Sequence, residues 1–241
     1  MNFKKWFRKK LDHLKLRYAL SSPERFVRYL RNKGIRIGKN PIMTREVRTL
    51  QIDMSRPSLI EIGDNVRINM NLTLMTHDFA SCVFRNKYHE FIASSGKIKI
   101  GNNVYFGRNC TVLKGVTIGD NCVIGFGSLV TKSIPENSVA AGVPAKVICS
   151  LDDYYAKRQV RTVEEAFEYA RSIKLVYHRQ PVIEDFWEEF PLFVDGADVD
   201  RYPQLPIRRQ LDSAYDIWCK NHKAPFRSFQ DFLTAAGVEE E

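Results

Sequence analysis

The stretch NLTLMTHDFA, residues 71–80, begins as alternating apolar positions and stops at a histidine. An imidazole with the ordinary pKa of ~6.5 takes up or releases a proton near neutrality, so a histidine at such an edge can act as an acid or a base. Read alone, the same stretch is better described as a surface histidine in a turn. His13, His178 and His222 have no neighbours that suggest chemistry, and His89 lies close after His77 in an aromatic stretch. The cysteines (Cys82, Cys110, Cys122, Cys149, Cys219) form no CxxC pair. A zinc site or disulfide framework is therefore not expected, no metal is expected, and reduced thiols fit a cytoplasmic setting.

What must position His77 is a repeat. Ile100, Phe106, Val112, Ile118, Ile124 and Val130 fall at a spacing of six, with Val104, Cys110, Val116, Cys122, Ser128 and Ile134 four places after each. Ile62, Ile68 and Leu74 repeat the pattern earlier, and IGxN-like tetrads recur at 37–40, 62–65, 100–103, 106–109 and 118–121. A period of six fits neither a helix nor a plain strand. It fits a coil of three flat faces, each a short strand and a corner, with the apolar residue pointing into a narrow prism. Glycine and Asn are expected at corners, where positive φ costs them least. Cys110 and Cys122 then point inward as small hydrophobes.

The segment IGNNVYFGRNCTVLKGVTIGDNCVIGFGSLVTKSIPENSVAAGVPAKVI, residues 100–148, resembles the end of a hexapeptide-repeat acyltransferase. Ladder, VTK turn and AGVPAK tail occur in order, and the likeness extends over about residues 34–148. Its nearest branch is the maltose, galactoside and serine type of O-acetyltransferase, similar to capsule and exopolysaccharide enzymes. The resemblance implies a mainly β fold, a left-handed parallel β-helix, assembled as a homotrimer in the cytoplasm. It implies acetyl-CoA as acyl donor and a saccharide or surface-polysaccharide precursor as acceptor.

The resemblance also distributes roles. The histidine just past a coil is the general base, and His77, in THD before an excursion from the ladder, takes that position. Transfer is direct, with no covalent intermediate, and a backbone N–H would hold the oxyanion. Coenzyme A would lie between neighbouring prisms against Tyr105, Gly107, Arg108, Gly125, Phe126, Gly127, Thr131, Lys132 and Lys146. Tyr105 stands where many relatives have Trp, and Arg108 and Phe126 where they have small residues, which bears on the acyl chain accepted. Asp53, Asn69, Asn71 and His89 are candidates for acceptor hydroxyls. Asp53 leads, because a carboxylate in QIDMSRPS is not needed by the ladder. As structural alternatives, the glycines can be ordinary corners, the asparagines corner residues and Lys132 a solvated side chain.

Around the ladder, residues 1–33 read as helix, with Phe3, Phe7, Leu11, Leu14 and Tyr18 on one face and Ser22, Pro23 and Gly34 as cap, first residue and terminator of a second helix. These residues hold 11 Lys/Arg and two acids, while the remaining 26 Lys/Arg balance 26 Asp/Glu. The segment either caps the open first coil or, through residues 1–20, touches anionic membrane at its inner face. No apolar run reaches the ~18 residues of a spanning helix, and no secretory signal is read. Nothing points to nucleic acid. Residues 79–97 form a protruding arm in which Phe79, Phe84, Tyr88 and Phe91 predict packing. Residues 149–241 form a helical extension, with a capping box at Thr162 and Glu165 and an apolar stripe of Val163, Ala166, Phe167, Ala170, Ile173 and Tyr177.

Three other functions remain in view. A zinc-dependent carbonic anhydrase on this fold needs three converging histidines, and only His77 and His89 are near the ladder. An N-acyltransferase on an amino-sugar would use the same base. A non-catalytic scaffold would neither bind nor turn over acetyl-CoA.

Overall fold

A computed structural model describes residues 3–238, with side chains from Lys10 onward. The chain divides into two compact units, Met1–Tyr155 and Ala156–Glu241.

The first unit is a prism of parallel coils. One face pairs Arg36–Ile37, Ile60–Ile62, Ile98–Ile100 and Thr117–Ile118. The second pairs Ile42–Met43, Arg67–Ile68, Val104–Phe106, Cys122–Ile124 and Ser138–Gly142, and ends in the antiparallel strand Ala145–Ser150. The third pairs Gln51–Ile52, Thr73–Met75, Thr111–Leu113 and Leu129–Val130. The register puts the repeat's apolar residues in vertical rows: Ile62, Ile100 and Ile118; Ile68, Phe106 and Ile124; Leu74, Val112 and Val130. Every residue of both expected six-spaced series is buried, Cys110 and Cys122 among them. Burial pushes both thiols up from their ordinary pKa, so they act as packing groups. The expectation of a parallel β-helix holds.

The corners divide their labour differently from expectation. Asn takes the left-handed backbone, at Asn40, Asn65, Asn71, Asn103, Asn109, Asn121 and Asn137. Its side chains then bond coil to coil, as in Asn103 to Asn121 at 2.9 Å and Asn121 to Asn137 at 3.0 Å. The glycines of the IGxN tetrads do not use positive φ. They are needed because the next coil passes so close: a Cβ on Gly63 would lie 2.5 Å from the carbonyl oxygen of Gly101.

At the N-terminal end lie α1, Phe3–Ala19, and α2, Pro23–Asn32. Ser22 caps α2 through the Arg25 N–H, Pro23 is its first residue, and Gly34 follows it at φ +103°. Phe26, Val27 and Leu30 of α2, with Ala19, join the prism core. The expected stripe of α1 behaves otherwise: Leu11, Leu14 and Tyr18 are exposed. Phe3 and Phe7 lie outside the residues whose side chains are described.

The arm leaves the prism after Thr76. His77–Asp78 pairs antiparallel with Ser94–Ser95, and α3, Ser81–Tyr88, fills the excursion. Its aromatics pack less than expected: Phe79, Tyr88 and Phe91 are exposed, and Phe84 is half-buried, with its ring 6.5 Å from that of Tyr88.

Helix α4, Leu151–Tyr177, runs without interruption. Ser150 caps it by accepting from the Asp153 N–H at 3.0 Å. The expected capping box is thus mid-helix, and Glu165 pairs instead with Arg158 at 2.6 Å. In the second unit Ala166, Ala170 and Ile173 pack with Phe186, Phe193 and Phe232, and Val163 and Phe167 lean on that core while Tyr177 is exposed.

Candidate active site

His77 sits just past the third face, at the edge where the chain turns toward the first. Asp53 occupies the same edge one coil earlier. The imidazole Nδ1 lies 2.5 Å from Asp53 Oδ2. The Thr76 hydroxyl donates to the same oxygen at 2.5 Å and the Thr76 N–H at 3.2 Å. Ser55 donates to Asp53 Oδ1 from its N–H at 2.9 Å and its hydroxyl at 2.7 Å. Burial opposes ionisation of Asp53, but the hydrogen bonds from Ser55, Thr76 and His77 outweigh it and hold the carboxyl well below its ordinary range. An ionised carboxylate only accepts, so Nδ1 carries the proton it shares. The lone pair of a neutral ring is then on Nε2, the nitrogen that faces away from Asp53. Phe79 meets the imidazole edge-on, with ring centroids 5.1 Å apart.

Asp53 was expected to meet acceptor hydroxyls. Instead both its oxygens are taken, by Ser55 on one side and by Thr76 and His77 on the other. Asn69 and Asn71 are likewise engaged in stacking: Asn69 donates to the Phe106 carbonyl at 2.8 Å, and Asn71 to Asn109 at 2.7 Å. His89 is exposed at the C-terminal end of α3, with φ +59°. Asp78, next to His77, turns elsewhere, to an ion pair with Lys114 one coil further on. Lys114 also donates to Ser94, which ties the foot of the arm to the prism.

Ser55 and Thr76 were missed in the sequence. Asp53-x-Ser55 carries one usable signal, since a carboxylate accepting from the N–H two residues on is a familiar turn. Thr76 carries none, because its role depends on a neighbour 23 residues away.

The residues assigned to the donor fall on two edges of one prism. Gly107, Arg108, Gly125, Phe126 and Gly127 lie between the second and third faces, beside Tyr105 on the second. Thr131 and Lys132 lie between the third and first faces, the edge that carries His77. Lys146 is exposed on the terminal hairpin opposite Ala141. Tyr105, Arg108, Phe126, Thr131 and Lys132 all face solvent. Gly107 and Gly125 serve stacking, since a Cβ would lie 2.6 Å from the Phe126 nitrogen and 2.8 Å from the Ala141 Cβ. Gly127 differs: at φ +69° its Cβ position is open space. Among the described residues no group of three or more His, Cys, Asp or Glu is arranged to hold a metal ion.

Asp53 supplies a stability prediction. Its folded-state pKa is depressed, so its contribution is complete above the ordinary value of 3.8 and is lost as pH falls from there toward the folded value. The gap in melting temperature between wild type and Asp53→Asn should therefore narrow from pH 6 to pH 3, as followed by circular dichroism.

Comparison with known proteins places the chain. Residues 97–132 match the family described as bacterial transferase hexapeptide (six repeats). Galactoside O-acetyltransferase of Escherichia coli (strain K12) is 46% identical over 107 residues, covering 41% of this chain and 49% of that protein. The chain thus spans about half the length of that relative. Protein CapG of Staphylococcus aureus is 42% identical over 132 residues, covering 53% of this chain and 73% of that protein. Among solved structures, a galactoside acetyltransferase in complex with coenzyme A is 31% identical, covering 61% of this chain and 82% of that one, with a TM-score of 0.40. The repeat in residues 97–132 and the likeness to most of CapG lead to one conclusion: the chain belongs to the bacterial transferase hexapeptide family.

Proposed function

We propose that this protein transfers an acetyl group from acetyl-CoA directly to a hydroxyl of a saccharide or surface-polysaccharide precursor, with His77 as general base. The observation that carries the reading is the His77–Asp53 pair at 2.5 Å, which presents Nε2 as a proton acceptor at a prism edge. A sugar hydroxyl is a poor nucleophile until its proton is taken, and the imidazolium so formed can return that proton to the leaving thiolate. Asp53 is a positioning residue in this scheme. The relative named a galactoside O-acetyltransferase supports a sugar acceptor.

The division of donor residues between two edges supports a trimer of prisms, whose left hand would be that of the family. Neighbouring copies would bring the Tyr105, Gly107, Arg108, Phe126 edge of one to the His77, Lys132 edge of the next. Gly127, with open space above it, fits the approach of a pantetheine arm, and Lys132 and Lys146 would meet phosphates. The protein would work in the cytoplasm, with residues 1–20 resting on anionic membrane.

The test is release of CoA thiol from acetyl-CoA across a panel of sugars, amino-sugars and nucleotide-sugars. Release with a hydroxyl acceptor supports the proposal. Release only with amino-sugars makes the enzyme an N-acyltransferase, and failure to bind acetyl-CoA makes it a scaffold. Asp53→Asn separates positioning from acceptor binding. Positioning predicts a lower kcat, on the order of tenfold or more within the ~10²–10⁴ that a general base contributes, at unchanged acceptor KM. A raised acceptor KM at unchanged kcat would return Asp53 to the acceptor.

A further inference from the structure

Helices α1 and α2 enclose a notch of about 390 Å³, whose walls include Asp12, Lys15, Tyr18, Arg25, Arg28 and Lys33. Four cations thus face one carboxylate, and Asp12 lies 3.8 Å from Lys33. Arg25 donates to the Ser21 hydroxyl at 2.7 Å and lies over the Tyr18 ring at 4.4 Å, which holds its guanidinium in the wall. No ion pair joins Lys15 or Arg28 to a carboxylate among the described residues. Four cations against one carboxylate leave the notch with an excess of positive charge, which favours entry of an anion.

The notch borders an apolar face. Leu11 is 43% exposed, Leu14 57% and Tyr18 64%, at the i, i+3, i+7 spacing of one side of α1. Tyr18 belongs to both features. Among the described residues Leu11 and Leu14 stay exposed and only Arg25 lies over Tyr18, whereas α2 buries its own apolar side in the prism core.

We infer that the α1–α2 hairpin docks on a bilayer containing anionic phospholipid, the stripe entering the headgroup–acyl boundary and the notch enclosing a headgroup phosphate. The inference rests on the membrane reading of residues 1–20 given above and adds a phosphate site that extends into α2. Charge decides against a second copy of the chain as the occupant. Residues 1–33 carry 11 Lys/Arg and two acids, and the rest of the chain carries 26 of each, so it offers no net opposite charge. An anionic bilayer does, and it also takes up apolar side chains.

The test is co-sedimentation of the full chain with three vesicles: phosphatidylcholine alone, phosphatidylcholine with about one-third phosphatidylglycerol, and phosphatidylcholine brought to equal surface charge with oleate. Wild type should bind the phosphatidylglycerol vesicles best, above the oleate vesicles. Lys15→Gln with Arg28→Gln should weaken that binding about thirtyfold, from the contribution per basic residue at such a surface, and erase the preference for phosphate over carboxylate. Leu11→Ser with Leu14→Ser should weaken binding to both charged vesicles alike. Unchanged melting temperatures show that each variant is folded, and a variant that melts early is replaced by Arg28→Gln alone.

Equal binding of wild type to phosphatidylglycerol and oleate vesicles would overturn the phosphate notch and leave the membrane reading standing. Absence of binding to any vesicle would overturn both. Inorganic pyrophosphate is the last arm. Should it bind by calorimetry, in a manner lost in the Lys15/Arg28 variant, while no vesicle binds, the lipid source is overturned.

Discussion

His77→Ala should lower kcat for acetyl transfer by about 10²–10⁴-fold and leave acetyl-CoA binding intact. The size follows from what the imidazole does in the proposed reaction. Without it the acceptor hydroxyl must attack while still protonated, or give its proton to water. Binding of acetyl-CoA should survive because the residues assigned to the donor lie on other coils, and Thr76 and Ser55 still hold Asp53 in place. Thiol release gives the rate, and calorimetry gives the donor affinity. A loss of acetyl-CoA binding in parallel with rate would mean that His77 supports the groove and is not the base. A rate within a few-fold of wild type would remove His77 from the chemistry altogether.

Phe106→Ala should cost about 3–5 kcal/mol of folding stability, the range for a buried phenylalanine. Phe106 is fully buried and stands in register between Ile68 and Ile124. A globular core can shift a helix to fill part of such a hole. The prism has less freedom, because the separation of its coils is set by the hydrogen bonds that stack them. The Phe106 carbonyl also accepts from Asn69, so the strand is fixed from outside as well as within. Denaturant unfolding measures the effect, with Tyr105→Ala as control. Tyr105 is the next residue on the same strand but faces solvent, and surface substitutions of that kind usually stay within about 0.5 kcal/mol. Similar losses for the two variants would mean that the inside–outside alternation assigned here is wrong.

The core could be read from the sequence because a repeat announces itself: six residues per face put Ile100, Phe106 and Val112 on successive inner walls regardless of distant contacts. The corner glycines were found for the wrong reason. Their necessity comes from the backbone of the next coil, which a single tetrad does not reveal. The same limit applies to Asp53. Its place in an excursion marked it as chemically interesting, but its two oxygens are spoken for by residues brought together only when one coil stacks on the next. The Thr162–Glu165 pattern misled because a local motif cannot report that a helix has already begun at Leu151. The arm's aromatics were expected to pack, and nothing in their spacing says that Phe79, Tyr88 and Phe91 keep most of their surface exposed.

A stack of parallel coils has no intrinsic length. Each coil offers the next the same rows of N–H and C=O groups, so an open end is a template for whatever strand arrives. This chain closes both ends by different means: Phe26, Val27 and Leu30 of α2 lie in the core at one end, and the strand Ala145–Ser150 reverses direction at the other. The first helices are therefore a barrier to polymer growth as well as a surface. Deleting residues 1–33 should open that end alone, so that two copies pair end to end and light scattering shows the particle mass doubling with concentration, while the reversed strand Ala145–Ser150 stops further growth.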